Sequence, residues 1–406
     1  MTQVLSADGS CAEAVRRFLA WLAYTEGKEA SPNSAAYCKA RARLPMASIQ
    51  ALRQDVTARL QQSCRTRGPW RGRPVTVVDG TGLSMPDTTE NQRQYPQSKA
   101  AKPGCGFPEM RLVALFSLAT GAVLDYAISS RKTDERTLFR RLWERLEPGD
   151  VVLADRGFCS FADYYFLAQR GVDSVMRLHP RRRAGLRTLK RLGPGDTLVQ
   201  WDRTHCVPKW LTRQQWQALP ATLHVRHIHF TVSIPGFRTR SITVATTLLD
   251  PKRYRTRDFA ELYRRRWKAE LYLRDIKSAL GMDILRCKTP AMIHKELAMY
   301  VIAYNLIRAT MLQAAQRADQ DPERISFKGT VQALRQWAPL IALATPERQD
   351  PILHAMLHAI ARDPLPQRPN RTEPRARKRR PKNYQLLNKP RHQFKEGQHR
   401  NRYRKP

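Results

Sequence analysis

The sequence predicts an α/β fold: a mixed sheet flanked by helices, with a β-rich subdomain inserted into the core and a helical region at the N-terminus. Two runs, VTVVD at 75–79 and VVLAD at 151–155, are apolar, rich in β-branched residues and end in Asp, which is typical of buried strands. Helical periodicity between and after these runs predicts the helices that cover the sheet.

The N-terminal region, residues 1–68, is predicted to be helical. The segments AEAVRRFLAWLAY and ASIQALRQDVTARL show helical periodicity, which the stretch TRGPWRGRP then interrupts. Two interpretations stay open. The region is either a small domain with a binding function of its own or a helical layer that supports the core.

The first part of the core, residues 74–180, alternates strands and helices. After VTVVD, a Pro/Gly-rich loop leads to MRLVALFSL and AVLDYAIS, which the turn signal Thr120-Gly121 joins into a hairpin. An amphipathic helix opens at Thr133, VVLAD follows as a strand, and FADYYFLAQRG predicts a short helix ending at Gly171. DSVMRL closes this part as a further strand.

A β-rich insertion is predicted over residues 181–250. LHVRHIHFTVSI and RSITVATTLL flank the turn Pro235-Gly236, and Asp196 to Asp202 form a further short strand. The alternation in HVRHIHF explains its histidines as residues on the two faces of one strand. Zinc is not expected, because the paired Cys/His spacing of zinc sites is missing. Residues 251–345 are predicted to form a second, helical part of the core, and residues 346–406 a C-terminal region.

A charged stripe lies on the predicted helix YRRRWKAELYLRDIK. At about 100° per residue, one face carries the Tyr, one Glu and three cations, and an apolar stripe lies beside it. The charged face consists of Tyr263, Arg266, Glu270, Arg274 and Lys277, and the apolar stripe of Leu262, Ala269, Leu273, Ile276 and Leu280. This arrangement favours contact with an anion, and a solvated helix with i,i+4 ion pairs is the structural alternative.

The spacing Tyr-x2-Arg-x3-Glu-x6-Lys resembles a family signature. Tyr263, Arg266, Glu270 and Lys277 fit the Y-R-E-K motif of bacterial insertion-sequence transposases of the DDE class at every position. The catalytic domains of that family are ribonuclease H-like, and they carry one Asp at the end of the first core strand and another at the end of a later strand. Asp79 and Asp155 occupy those places, and the loop ENQRQYPQ also resembles the family.

The resemblance implies an active site. Asp79, Asp155 and Glu270 would be catalytic and would jointly bind two divalent metal ions, Mg²⁺ with Mn²⁺ as a substitute. Tyr263, Arg266 and Lys277 would bind DNA phosphates, and we add Arg274 and Trp267 to this DNA-binding set because they lie beside them on the helix.

The same resemblance implies the partners. They are double-stranded DNA, as transposon inverted-repeat ends and as target, and a second copy of the chain in a homodimeric DNA complex. The β-rich insertion would contact the transposon end, and the N-terminal region is a candidate for end recognition. Two other functions stay open: a ribonuclease H-like nuclease without strand transfer, and a catalytically idle DNA-binding protein, against which the three carboxylates argue.

Charge and composition agree with a nucleic-acid partner. The chain of 406 residues has 72 Lys plus Arg against 35 Asp plus Glu, a formal charge of +37 that requires a polyanion. Residues 366–406 hold 15 of these cations and only two acids, and their composition predicts a disordered basic tail. Seven scattered cysteines indicate a reducing compartment, and the absence of a signal sequence or long apolar run predicts a cytoplasmic protein without membrane contact. The family resemblance implies in addition that the protein is bacterial and nucleoid-associated.

Overall fold

The computed structural model describes residues 2–6, 9–65, 70–100, 102–179, 186–232, 241–366 and 393. Helices α1 (Thr2–Leu5), α2 (Cys11–Glu26), α3 (Ala35–Arg43) and α4 (Met46–Arg65) form the N-terminal region. Ile49, Val56 and Leu60 of α4 are buried against the long core helix α11 (Pro290–Arg317). This packing fits a supporting layer, and α2 and α3 remain mostly exposed.

A single sheet runs through the described residues. It has nine strands in the order β3-β2-β1-β4-β5-β9-β8-β7-β6. The strands are β1 (Val75–Ser84), β2 (Glu109–Ser117), β3 (Val123–Ser130), β4 (Val151–Ala154), β5 (Asp173–Arg177), β6 (Arg187–Gly193), β7 (Asp196–Asp202), β8 (Thr222–Thr231) and β9 (Ser241–Thr246). Because β1, β4 and β5 are parallel and the other pairs are antiparallel, the sheet is mixed, and the predicted ribonuclease H-like class is confirmed.

Strand β1 extends five residues past the predicted VTVVD. Its partner β2 pairs with it from Thr76 to Ser84, whereas β4 pairs only with Val75 to Val77. The glycines at 80 and 82 interrupt the apolar pattern, so composition alone placed the end of the strand too early. Asp79 therefore lies within a strand, while Asp155 directly follows β4.

Helices cover both faces of the sheet. Those of the core before α11 are α5 (Thr89–Gln94), α6 (Glu135–Arg140), α7 (Phe161–Gln169), α8 (Arg213–Gln217), α9 (Thr256–Arg265) and α10 (Trp267–Arg274), and α12 (Phe327–Leu343) and α13 (Pro346–Ala361) pack against α11. The side chain of Asp134, rather than that of Thr133, caps α6. Gly171 has φ +71° after α7, as the predicted helix end requires.

The inserted strands extend the core sheet. Strand β9 pairs antiparallel with β5, and β8, β7 and β6 follow outward from it. Edge strand β6 was not predicted, because it is exposed along most of its length and so lacks an apolar pattern. The predicted turn Pro235-Gly236 lies outside the described residues. The segment boundaries given above remain predictions.

An apolar layer lies on each face of the sheet. Val77 and Leu153 belong to the layer under α9, α10 and α11, whereas their neighbours Val78 and Ala154 belong to the layer under α6 and α7. None of the helices in the described ranges is both long and apolar enough to cross a membrane. Apart from Pro366 and Gln393, the predicted basic tail lies outside the described residues.

Candidate active site

The two aspartates lie on one face of neighbouring parallel strands. Alternation along β1 and β4 puts Asp79 and Asp155 on the face of Val77 and Leu153, under α9 and α10. Asp79 Oδ1 accepts a hydrogen bond from Gly80 N at 2.8 Å. Asp155 Oδ1 accepts one from Gly157 N at 2.7 Å, and a Cβ at position 157 would lie 3.0 Å from that oxygen. The turn after β4 thus favours Gly.

The signature residues lie on a helix that is interrupted twice. Helix α9 ends at Arg265, α10 begins at Trp267, and a π-helical turn, Asp275–Ala279, follows α10. The predicted apolar stripe is confirmed, since Leu262, Ala269, Leu273, Ile276 and Leu280 are all buried. The prediction of one regular helix through Lys277 was wrong, because the π turn changes the direction in which that side chain leaves the helix.

Arg266 is buried, and the helical wheel places it on the charged face beside the apolar stripe. It is 6% exposed, and its Nη2 donates to Glu270 Oε1 at 2.8 Å. Its guanidinium carbon lies 4.6 Å from the ring centroid of Trp267, which is half-buried. Nε of Arg266 is buried and has no hydrogen-bond partner among the described residues. Glu270 has a 50% exposed side chain and so opens toward solvent.

Asp79 is the electrostatic centre of the cluster. Its pKa is raised to about 6, mainly by burial and also by the neighbouring carboxylates of Asp155 and Glu270, against the lowering effects of the Gly80 hydrogen bond and the Arg266 charge. Asp155, Glu270 and Arg266 are thus near enough to Asp79 for their charges to act on it. A bound cation would offset the repulsion among these carboxylates.

The other two signature residues, Tyr263 and Lys277, lie in different surroundings. Tyr263 is 1% exposed. Burial raises its pKa to about 12, against the charges of Arg266 and Arg177. Lys277 Nζ donates to Thr81 Oγ1 and to the carbonyl of Gly82, both at 3.0 Å, and thus reaches strand β1.

Arg274 stands apart from the carboxylates. Its side chain is 61% exposed and pairs with the neighbouring Asp275 at 3.4 Å. Among the described residues, no contact joins Arg274 to the three carboxylates or to Tyr263, whereas Trp267 touches the cluster through Arg266.

Two further residues adjoin the site and were not predicted. The register of β4 and β5 pairs Ala154 with Met176, so Arg177 lies beside Asp155 on the same edge. Thr81 lies two residues after Asp79 on the same face of β1 and accepts from Lys277. The signals were present in DSVMRL and DGTG: a cation at a strand end and a hydroxyl between two glycines.

The donor set suits a hard divalent cation, since carboxylate oxygens are the ligands that Mg²⁺ and Mn²⁺ prefer. Within the described ranges, no three His, Cys, Asp or Glu side chains are close enough together to hold an ion as they stand. Of the three carboxylates, that of Glu270 accepts a hydrogen bond from Arg266. The raised pKa of the half-buried Asp79 carboxyl is the observation that supports the fit.

Fold and site together define the class: a ribonuclease H-like domain with Asp79 in its first core strand, Asp155 directly after a neighbouring parallel strand, and Glu270 on a helix that covers this face of the sheet. Residues 70–306 match the family described as the transposase DDE domain. The match spans more than half of the 406 residues, so the chain belongs to this family and its function is DNA transposition. Members of the family are DNA-cleaving and strand-transfer enzymes that generally use divalent metal ions.

A curated relative agrees. The chain is 26% identical over 331 residues to the transposase InsG for insertion sequence element IS4 of Escherichia coli (strain K12), covering 81% of this chain and 73% of that protein. Among solved structures, it resembles a piggyBac transposase synaptic complex with hairpin DNA, determined by cryo-EM, with 9% identity and a TM-score of 0.43 over 90% of this chain and 74% of that one. A likeness of that size establishes neither fold nor function by itself.

Proposed function

We propose that the protein cleaves DNA at the ends of an insertion sequence and transfers the strands into target DNA. Asp79, Asp155 and Glu270 are the catalytic residues of this proposal, and they bind two Mg²⁺ ions, for which Mn²⁺ substitutes. The observation that carries it is the electrostatic crowding of the half-buried Asp79, whose pKa burial and the carboxylates of Asp155 and Glu270 raise to about 6. Such crowding disfavours folding and is typical of functional sites.

Each residue has a distinct task in this proposal. When bound, the two ions supply an activated water or 3′-hydroxyl and stabilise the leaving 3′ oxygen. Backbone N–H groups of Gly80 and Gly157 hold the two aspartates in place. Arg266 orients Glu270 through a direct hydrogen bond.

DNA contacts surround this centre. Tyr263, Arg266 and Lys277 bind phosphates near the scissile bond, with Arg274 and Trp267 as flanking contacts. Arg274 suits an outer position, since its side chain is 61% exposed. A phosphate would also satisfy the unpartnered, buried Nε of Arg266 if that side chain turned toward it.

The whole molecule binds DNA in this proposal. The formal charge of +37 supports binding of inverted-repeat ends and target DNA, as a homodimer and in the bacterial cytoplasm at the nucleoid. The segment at 181–250 and the N-terminal region up to residue 68 contact the ends. The basic residues after 365 clamp phosphates without sequence preference.

The test substitutes Asp155→Asn and follows cleavage and joining of donor-end DNA with a target plasmid and Mg²⁺. We expect cleavage to fall by at least about a thousandfold, because one metal ligand is weakened, while DNA affinity is kept. Asp55→Asn is the matched control, since that carboxylate is exposed and pairs with Arg59 on the same helix α4.

The outcomes separate the alternatives. Full nicking by Asp155→Asn protein would refute the assignment of the site. Cleavage without joining by the unsubstituted protein would identify a nuclease, and DNA binding without cleavage would identify an idle DNA-binding protein.

A further inference from the structure

The tip of strand β1 is open on one edge. Strand β4 stops pairing at Val77, so residues 78–84 are held by strand pairing on the β2 side alone. Gly80 and Gly82 lie in this stretch, and glycine in a strand adds backbone freedom and contributes no side-chain packing. Asp79 sits at the start of this weakened segment, so the direction of its carboxylate depends on what holds the tip.

The segment after α10 closes that open edge. Lys277 Nζ donates to the carbonyl of Gly82 at 3.0 Å. Farther along, Leu285 N donates to the carbonyl of Ser84 at 2.9 Å, and Ile284 forms a parallel bridge with Ser84. The strand tip and the signature helix are therefore joined at successive points.

Thr81 supplies a second acceptor to the same ammonium group. Its Oγ1 lies 3.0 Å from Lys277 Nζ. Thr81 and Asp79 are two residues apart, so both side chains project from the face that α10 covers. Hydrogen bonds from an ammonium group are stronger than those between neutral groups, and they fix both partners.

The π turn brings Lys277 to this position. Leu280 N donates to the carbonyl of Asp275, five residues back, at 3.2 Å. The additional residue in this turn rotates Lys277 relative to its place in a regular helix. Single π turns recur at functional sites, and here the rotation directs the signature lysine at the strand that carries Asp79.

We propose that Thr81 is a positioning residue: with the Gly82 carbonyl it holds the Lys277 ammonium, and this clamp fixes the tip of β1 and the Asp79 carboxylate for cleavage. The inference rests on the proposed function of the site and deepens it, since Lys277 acts on the strand as well as on DNA. Thr81 itself touches neither metal nor DNA.

The test compares three substitutions on the same strand. Thr81→Val keeps the shape and removes the hydroxyl, and Thr81→Ser keeps the hydroxyl. Thr76→Val makes the Thr-to-Val change at the buried start of β1, far from Lys277. For each full-length protein we would measure the single-turnover cleavage rate on saturating end DNA, the DNA affinity, the melting temperature, and hydrogen exchange of amides 79–84 without DNA.

We expect Thr81→Val to cleave about tenfold more slowly, with DNA affinity unchanged and faster exchange of the tip amides. Thr81→Ser and Thr76→Val should match the unsubstituted protein in cleavage rate and tip exchange. Equal cleavage and equal tip exchange in Thr81→Val and Thr81→Ser would overturn the proposal. A loss of DNA affinity as large as the loss of rate would overturn it too, because Thr81 would then act on DNA binding.

If the proposed function is wrong, the experiments would give a different result. An unsubstituted protein without cleavage activity would refute the function, while the exchange of amides 79–84 would still show whether Thr81 holds the strand tip.

Discussion

At the scale of single residues, the ionised carboxylate of Asp79 lowers the stability of the folded, metal-free protein. Its pKa rises from 3.8 to about 6 on folding, since burial and neighbouring carboxylates disfavour the charged form. Relative to pH below about 4, the metal-free protein therefore loses stability as the pH rises through about 6. A shift of this size corresponds to at most about 3 kcal/mol, and solvent screening reduces it to about 1 kcal/mol.

Asp79→Asn should thus stabilise the metal-free protein above pH 7 by about 1 kcal/mol while abolishing cleavage. Near pH 4 the difference should be much smaller, because the folded Asp79 carboxyl is then neutral and the unfolded one is only partly ionised. Denaturant unfolding with a chelator at pH 4 and pH 7.5 measures the difference. A variant that is less stable than the parent at pH 7.5 would contradict the electrostatic crowding.

Arg266 and Arg274 form a matched pair of arginines on one helix. Arg266 is buried against Trp267 and Glu270, whereas the Arg274 side chain is 61% exposed. Arg266→Ala should lower the free energy of unfolding by about 1–3 kcal/mol, and Arg274→Ala by less than about 0.5 kcal/mol. Arg266→Lys should keep most of the stability and still cleave poorly, because an ammonium group lacks the planar fork.

Melting temperature and single-turnover cleavage on the same preparations provide the measurement. Equal losses of stability in the two alanine variants would show that the burial of Arg266 contributes nothing.

The spacing of residue types predicted the three carboxylates of the proposed site better than it predicted the residues around them. Asp79 and Asp155 could be selected because each ends a β-branched apolar run, although β1 continues past Asp79, and Glu270 because a motif spans it. Burial of Arg266 was not predictable, since an i,i+4 pair on a helical wheel looks the same on a solvated or a covered face. Thr81 and Arg177 were missed because their roles come from register and from a π turn, which no local pattern encodes.

At the scale of elements, a buried ion pair joins the inserted strands to the signature helix. Arg226 on β8 is fully buried and bonds both oxygens of Asp196 on β7, at 2.8 and 2.5 Å. Arg226 also donates to the carbonyls of Leu248 and Asp250, just before α9. Thr256 at the start of α9 contacts Asp196 at 3.4 Å. The sheet extension thereby fixes the helix that leads to Tyr263.

Arg226→Met should destabilise the protein by about 3–5 kcal/mol, because it leaves a buried carboxylate without its partner. Arg191→Met, on exposed strand β6, is the matched control and should be nearly neutral. Thermal unfolding measures both. The double variant Arg226→Met with Asp196→Asn should lose less than the sum of the single losses, and simple additivity would show that the pair is not coupled.

Elements with a strong apolar period were the predictable ones. Strand β7 was predicted with its observed limits, and β2, β3 and α7 within a few residues. Strand β6 and helix α3 have no buried face of that kind, so tertiary context decides their structure. The extension of β1 beyond Asp79 depends on pairing with β2, a partner about thirty residues away in the sequence.

At the scale of the whole molecule, the positive charge is divided between the tail and the rest of the chain. Residues 366–406 hold 15 Lys or Arg against Glu373 and Glu396, so they contribute +13 of the +37 and leave +24 for residues 1–365. The three catalytic carboxylates of our proposal lie outside the tail. Loss of the tail should therefore weaken nonspecific DNA binding more than it slows cleavage of saturating DNA.

A chain ending at Leu365 should show a slope of log affinity against log salt that is smaller by several units. Each neutralised phosphate contributes about 0.9 to that slope, so a loss of three to five contacts would be resolved easily. A full-length chain with the 15 tail cations replaced by Gln is the matched control, because it keeps the length of the tail and removes its charge. If the tail binds phosphates, the slope of log affinity against log salt should fall by the same amount in both proteins. A slope equal to that of the unsubstituted protein in both would show that DNA is bound by the +24 of residues 1–365 alone.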